Sequence, residues 1–200
     1  MSSPVKTVDV NRRYTYADYL TWPEGERWEL IDGVPYAMSP APSVRHQEIL
    51  GDLNEVFRNY FRGKSCKVFF SPIDVRLQNE VRANESYNVV QPDLLVVCDP
   101  KKIGDKAILG APDLVVEVLS PSNPEHDLFR KRDLYAKAGV PQYWIVDPSI
   151  GHVSVLLLKN GILELERVYK NEDVIEVPGY EGFNVALKDI FPTAEEEVKG

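Results

Sequence analysis

The chain is short of several things at once, and each shortage closes off a class of function. Only two cysteines occur, Cys66 and Cys98. They form no metal-binding or redox spacing, so both read as reduced, mostly buried thiols. No run approaches the roughly 18 continuous apolar residues that a membrane-spanning helix requires. The N-terminal MSSPVKTVDVNRRY has no apolar secretory core, which leads us to expect a cytoplasmic protein without a membrane partner. Positive charge is also scarce: 23 Lys and Arg stand against 31 Asp and Glu, for a net charge of −8. A dedicated duplex-DNA binder is normally basic, because phosphate neutralisation supplies much of its affinity. Any nucleic-acid contact here must be local, metal-assisted or supplied by an oligomer. Missing too are GxxxxGK[ST], a GxGxxG after a strand, HExxH, paired CxxC and GxSxG. Their absence weighs against NTPases, dinucleotide enzymes, zinc proteases and serine hydrolases.

What is present is an ordinary globular composition, 44% hydrophobic and 27% charged over 200 residues, enough for one compact core. Residues 1–14 read as a loose arm and 193–200 as an acidic tail, leaving one domain over 15–192. Thr15 N-caps a short helix to Leu20. Strands over 27–31 and 34–38 turn at Asp32-Gly33. Ile49, Leu50, Leu53, Val56, Phe57, Tyr60 and Phe61 recur at helical spacing within 43–62, and Gly63 stops that helix. Strands are expected at 66–70 and 73–77, followed by a polar loop or hairpin tip over 78–89. The continuous runs Leu94–Val97 and Leu114–Leu119 suit strands buried on both faces. A second helix spans 123–138, with Ser122 and Glu125 as a capping box and Gly139 as its end. A strand over 142–146 and a hairpin over 152–158 and 162–168, turning at Asn160-Gly161, complete the pattern. The order predicts an α+β fold: a central mixed β-sheet flanked by helices, with additional β-hairpins.

Charges interrupt this pattern where apolar residues belong. Glu117 sits inside a valine-leucine strand, where a carboxylate needs a partner, a metal or a proton. Asp93 opens the neighbouring buried strand, and two converging carboxylates suit a hard cation. Lys131 falls inside the apolar stripe of the 123–138 helix. It projects toward the sheet, either snorkelling along an edge or meeting charge there. His46 lies on the apolar face of its helix and Glu29 alternates with apolar neighbours. A lone histidine there is more often a core residue than a catalyst, and solvent exposure is the ordinary reading of Glu29; if both face one cleft, they add a ligand or position a water. Asp113, Asp74 and Asp127 are weaker candidates, explained by strand-edge polarity or the helix dipole.

Taken together, the segments WELIDG (28–33), Ser43 to His46, QPDLLVV (91–97), DLVVEVLSPS (113–122), Lys131 to Tyr135 and AGVPQYWIVDP (138–148) resemble the Uma-two family of restriction endonucleases, within the PD-(D/E)XK nuclease superfamily. The resemblance spans about residues 15–190. It implies a restriction-endonuclease-like fold and Mg2+-dependent hydrolysis of DNA phosphodiesters, with Mn2+ able to substitute. Residue by residue, it implies Asp93 and Glu117 as metal ligands, joined by the main-chain carbonyl of Val118. Leu119 stands where the superfamily usually has lysine, and Lys131 on the next helix resembles its relocated equivalent. Glu29 and His46 resemble the group's additional polar residues. Gln142 stands where the family pattern has glutamate.

Two other classes fit the sequence. One is a non-catalytic module that keeps the nuclease fold. The other is a hydrolase of small phosphorylated substrates, which the acidic surface suits. A homodimer is also expected if the alternating Val153, Val155, Leu157, Leu163 and Leu165 of the last hairpin meet a twofold mate rather than their own core.

Overall fold

The structure of the chain, a computed structural model, describes residues 9, 11–23, 26–38, 42–77, 85–120 and 125–191, with the side chains of 125–128 left out. The short helix α1 (Tyr16–Tyr19) carries a full capping box: Asp18 N–H donates to the Thr15 side chain, and Thr15 N–H donates to Asp18. Strands β1 (Trp28–Ile31) and β2 (Val34–Ala37) follow, then the 18-residue helix α2 (Val44–Phe61). Next come β3 (Lys67–Phe70), β4 (Asp74–Arg76), β5 (Val89–Val90), β6 (Leu94–Val97), β7 (Ala107–Leu109) and β8 (Leu114–Val118). Helix α3 (Glu125–Ala138) crosses over to β9 (Gln142–Asp147). The chain finishes with β10 (His152–Lys159), β11 (Ile162–Lys170), β12 (Val174–Glu176) and β13 (Asn184–Ala186).

Six strands form the main sheet in the order β11-β10-β9-β8-β6-β3. Its one parallel pair is β8–β9, the pair joined through α3; β8–β6, β6–β3, β9–β10 and β10–β11 are antiparallel. A helix crossover is the connection parallel neighbours require. On one face, the α2 stripe Ile49, Leu50, Leu53, Phe57 and Phe61 packs on Leu94, Val96, Leu114, Val116 and Trp144. On the other face, Leu95, Val97, Val115 and Tyr143 meet Leu134 and Tyr135 of α3, together with Val75, Val90 and Ile108. Central strands covered on both faces are why 94–97 and 114–118 read as unbroken apolar runs.

The expected fold class is observed, and several details differ. The first hairpin is no isolated decoration. It belongs to a second sheet, β2-β1-β5-β4-β7. Strand β7, which pairs in parallel with β4, is only three residues long and escaped the sequence pattern, as did β5, β12 and β13. Strand β11 runs on to Lys170, and its Glu166 is bulged out where the register slips beside Val155. The Ser122 cap expected for α3 and the residues 123–124 lie outside the described residues. Val153, Val155 and Leu163 of the last hairpin are wholly buried in the chain's own core, whereas Leu165 is exposed.

The cysteines overturn an expectation. Cys66 and Cys98 are joined in a disulfide. They flank the β3–β6 ladder, where Lys67 pairs with Val97. Their separation of 32 residues hides from the sequence a contact that strand pairing alone creates.

Candidate active site

Glu117 occupies the fourth position of β8 and alternates to the face covered by α3. The β6–β8 register pairs Leu94 with Val116. Continued by one residue, it sets Asp93 across from Glu117. Cross-strand partners share a sheet face and approach closely, so the two carboxylates expected to converge do so at the open end of this ladder. The neighbouring edge strand braces Asp93 from behind, because Ser71 N–H donates to its carbonyl at 2.9 Å.

The remaining candidates arrive from other elements. Ser43 caps α2 by accepting from the His46 amide at 3.1 Å, and His46 Nε2 lies 3.2 Å from Asp93 Oδ2. That oxygen also accepts the Val118 N–H at 2.8 Å. From α3, Lys131 Nζ reaches Glu117 Oε1 at 3.0 Å and Glu29 Oε1 at 2.9 Å. Glu29 is held in turn by the Gln91 amide at 3.0 Å. All five side chains singled out from the sequence (Glu29, His46, Asp93, Glu117 and Lys131) therefore form one contiguous cluster. The ammonium reaches Glu117 from a helix, while Leu119, in the usual lysine position, spends its amide on the β9 ladder through Val146 O.

Burial sets the electrostatics. Removal from water pushes the Glu117 carboxyl up to about 7; Lys131 opposes this, and the negative charges of Asp93 and Glu29 reinforce it. Burial would lower the Lys131 pKa, but Glu117 and Glu29 more than compensate and hold the ammonium charged. For His46, too, burial disfavours the cation, yet the hydrogen bond and charge of Asp93 outweigh it and raise the pKa. Three carboxylates thus share the Lys131 ammonium and, when it is protonated, the His46 imidazolium.

The donor set fits a hard divalent cation. Asp93 spends Oδ2 on protein donors and Glu117 spends Oε1. Their other oxygens, Oδ1 and Oε2, accept no hydrogen bond among the described residues. An extended residue directs its carbonyl to the same strand edge as its amide, so the Val118 carbonyl also faces the Asp93 side. Among the described residues there is no ready-made cage of three or more His, Cys, Asp or Glu side chains. Asp93, Glu117 and the Val118 carbonyl would thus supply part of an oxygen shell, as is usual for Mg2+, which keeps waters and substrate oxygens as ligands.

The weaker candidates have structural duties. Asp74 accepts from Tyr16, Tyr19 and Gln91, and Asp113 caps the Cys98 amide at 2.7 Å. The Asp127 side chain lies outside the described residues. Gln142 is buried, and its Nε2 has no hydrogen-bond partner among the described residues. Tyr135 was missed: its hydroxyl donates to Glu117 Oε1 at 2.7 Å. The available signal was its spacing, one helical turn after Lys131 on the same stripe.

The chain matches the Uma2 family, described as "putative restriction endonuclease", over residues 16–188. The chain belongs to the Uma2 family. An uncharacterized protein of Synechocystis sp., slr1290, is 32% identical over 158 residues, covering 78% of this chain and 74% of that protein. The fold resembles the crystal structure of a "putative nuclease" of the DUF820 group from Anabaena variabilis. The TM-score is 0.71 at 20% identity, covering 88% of this chain and 97% of that one. The Uma2 chain thus has the restriction-endonuclease-like architecture. Among its described residues no helix is long and apolar enough to cross a membrane.

Proposed function

We propose that the chain is a Mg2+-dependent nuclease that hydrolyses DNA phosphodiester bonds. The observation carrying this reading is the buried Glu117, which faces Asp93 and shares its Lys131 ammonium with Glu29. Buried charges of this kind are costly, and a purely structural domain has no evident use for them. Asp93, Glu117 and the Val118 carbonyl would hold the cation, which when bound polarises a phosphate oxygen and lowers the pKa of a water. Lys131 stabilises negative charge developing at phosphorus. His46 fixes the Asp93 carboxylate and orders solvent beside it, while Glu29 keeps Lys131 in place.

The test is cleavage of plasmid DNA with MgCl2 or MnCl2 by the wild type and by Asp93→Ala and Glu117→Ala. Cleavage confined to the wild type, with unchanged circular dichroism in the variants, supports the assignment. Cleavage retained by either purified variant rejects it. The net charge of −8 favours a second reading, in which the substrate is a small phosphorylated molecule. Turnover compared on duplex DNA, single strands and mononucleotides separates the two. Homodimerisation through the C-terminal hairpin, where Leu165 is exposed, belongs to this reading, and sedimentation at several concentrations tests it.

A further inference from the structure

We infer that Tyr135 is a positioning residue of the metal site, fixing which oxygen of Glu117 is offered to the cation. The inference rests on the metal-dependent reading above and adds to it a residue outside the cation's own ligands. Lys131 and Tyr135 are one helical turn apart on α3, and both donate to the same atom, Glu117 Oε1, at 3.0 and 2.7 Å. Two donors on one oxygen prevent the carboxylate from turning and leave Oε2 without a protein donor among the described residues.

The two donors are not equivalent. Lys131 has a second acceptor in Glu29, so it stays satisfied when its hold on Glu117 loosens. The Tyr135 hydroxyl donates to Glu117 and to no other acceptor among the described residues. It is the dedicated half of the clamp. Packing does not account for it, because the neighbouring ring provides a comparison. Tyr143 is as fully buried as Tyr135, and the ring centroids are 5.1 Å apart. Yet the Tyr143 hydroxyl has no hydrogen-bond partner among the described residues. Of two adjoining phenols, one is tied to a proposed ligand and the other is not. Groups that orient a ligand typically change metal affinity about 10–100-fold when removed.

The experiment is calorimetric titration of MnCl2 into the wild type, Tyr135→Phe, Tyr143→Phe and Glu117→Ala. Tyr135→Phe is expected to weaken Mn2+ binding about tenfold or more without a comparable loss of melting temperature. Tyr143→Phe, which deletes the same atom from the adjoining ring, leaves affinity within about twofold of wild type. Unchanged affinity in Tyr135→Phe, or an equal loss in Tyr143→Phe, overturns the inference. A second readout uses only proteins that keep Tyr135. MnCl2 should perturb the near-ultraviolet tyrosine band of the wild type and of Tyr143→Phe, since a cation on the carboxylate would weaken the hydrogen bond that the phenol donates to it. No perturbation overturns the inference. Failure of the metal reading looks different: wild type does not bind Mn2+, or Glu117→Ala binds it as well as wild type, and the positioning role falls with it.

Discussion

Asp93 and Glu117 lie one residue beyond the last pair of the β6–β8 ladder, Leu94 with Val116, and each commits one carboxylate oxygen to protein donors while leaving the other open among the described residues. The arrangement places two like charges on one sheet face with Glu29 close behind. It therefore has consequences for stability that can be measured without any substrate.

The first concerns pH. Burial pushes the Glu117 carboxyl up to about 7 in the folded chain, from an ordinary 4.5. Between these values the folded state holds a proton that the unfolded state has lost, so stability of the metal-free chain falls as pH rises through that window. His46 has a raised value too. Its contribution is complete below 6.5 and disappears as pH climbs through the raised value. Lys131 loses its contribution only above 10.5. Glu117→Gln should flatten the lower part of the profile, removing a loss on the order of 1–3 kcal/mol. Urea midpoints between about pH 4 and pH 8 measure it. If the site takes Mn2+ as proposed, the same linkage makes wild-type affinity rise with pH up to about 7, with protons released on binding. A wild-type urea-midpoint profile that climbs over this window contradicts the account.

The second concerns the disulfide. Cys66 and Cys98 close a loop across 32 residues, which typically contributes about 2–4 kcal/mol to stability. Thiol titration of the denatured, unreduced chain should find no free thiol, and reduction should release two. Reduction should also lower the denaturation midpoint. Two free thiols before reduction would refute the bridge.

The third compares two glycines. Gly33 and Gly161 have φ of +75° and +80° in their hairpin turns. A Cβ at Gly161 meets nothing within 4 Å, whereas one at Gly33 would lie 3.0 Å from Tyr87 Cδ1 and 3.2 Å from Tyr14 O. Gly161→Ala should cost about 1 kcal/mol from backbone conformation alone. Gly33→Ala should cost roughly 2–3 kcal/mol and loosen β1, the strand that carries Glu29. Equal midpoints for the two variants would count against this difference.

The fourth addresses the core under α2. Phe57 is wholly buried and meets Trp144 and Phe183 edge to face, at 5.5 and 4.9 Å between centroids. Phe57→Ala should cost about 3–5 kcal/mol through lost transfer energy and the cavity left behind. Val44→Ala, on the same helix but 76% exposed, should change the urea midpoint very little.

Much of the fold was legible because its signals are local. Thr15 caps its helix through the next turn, and Asp32-Gly33 and Asn160-Gly161 select left-handed hairpin turns from two residues each. The helical stripe of α2 and the apolar runs of β6 and β8 need only a period. Strands of two or three residues, such as β5 and β7, carry no readable period. They exist because neighbouring chain segments complete their ladders.

The site divides in the same way. The sequence alone determined that Glu117, Asp93 and Lys131 are out of place, because a charge in an apolar stripe breaks a pattern that burial enforces. Tertiary structure decided the rest. It chose which oxygen of Glu117 receives Lys131 and Tyr135, it brought Glu29 from a different sheet to the same ammonium, and it joined Cys66 to Cys98. None of these contacts has a sequence period, since strand pairing and helix crossover bring the partners together over separations that vary from one element to the next.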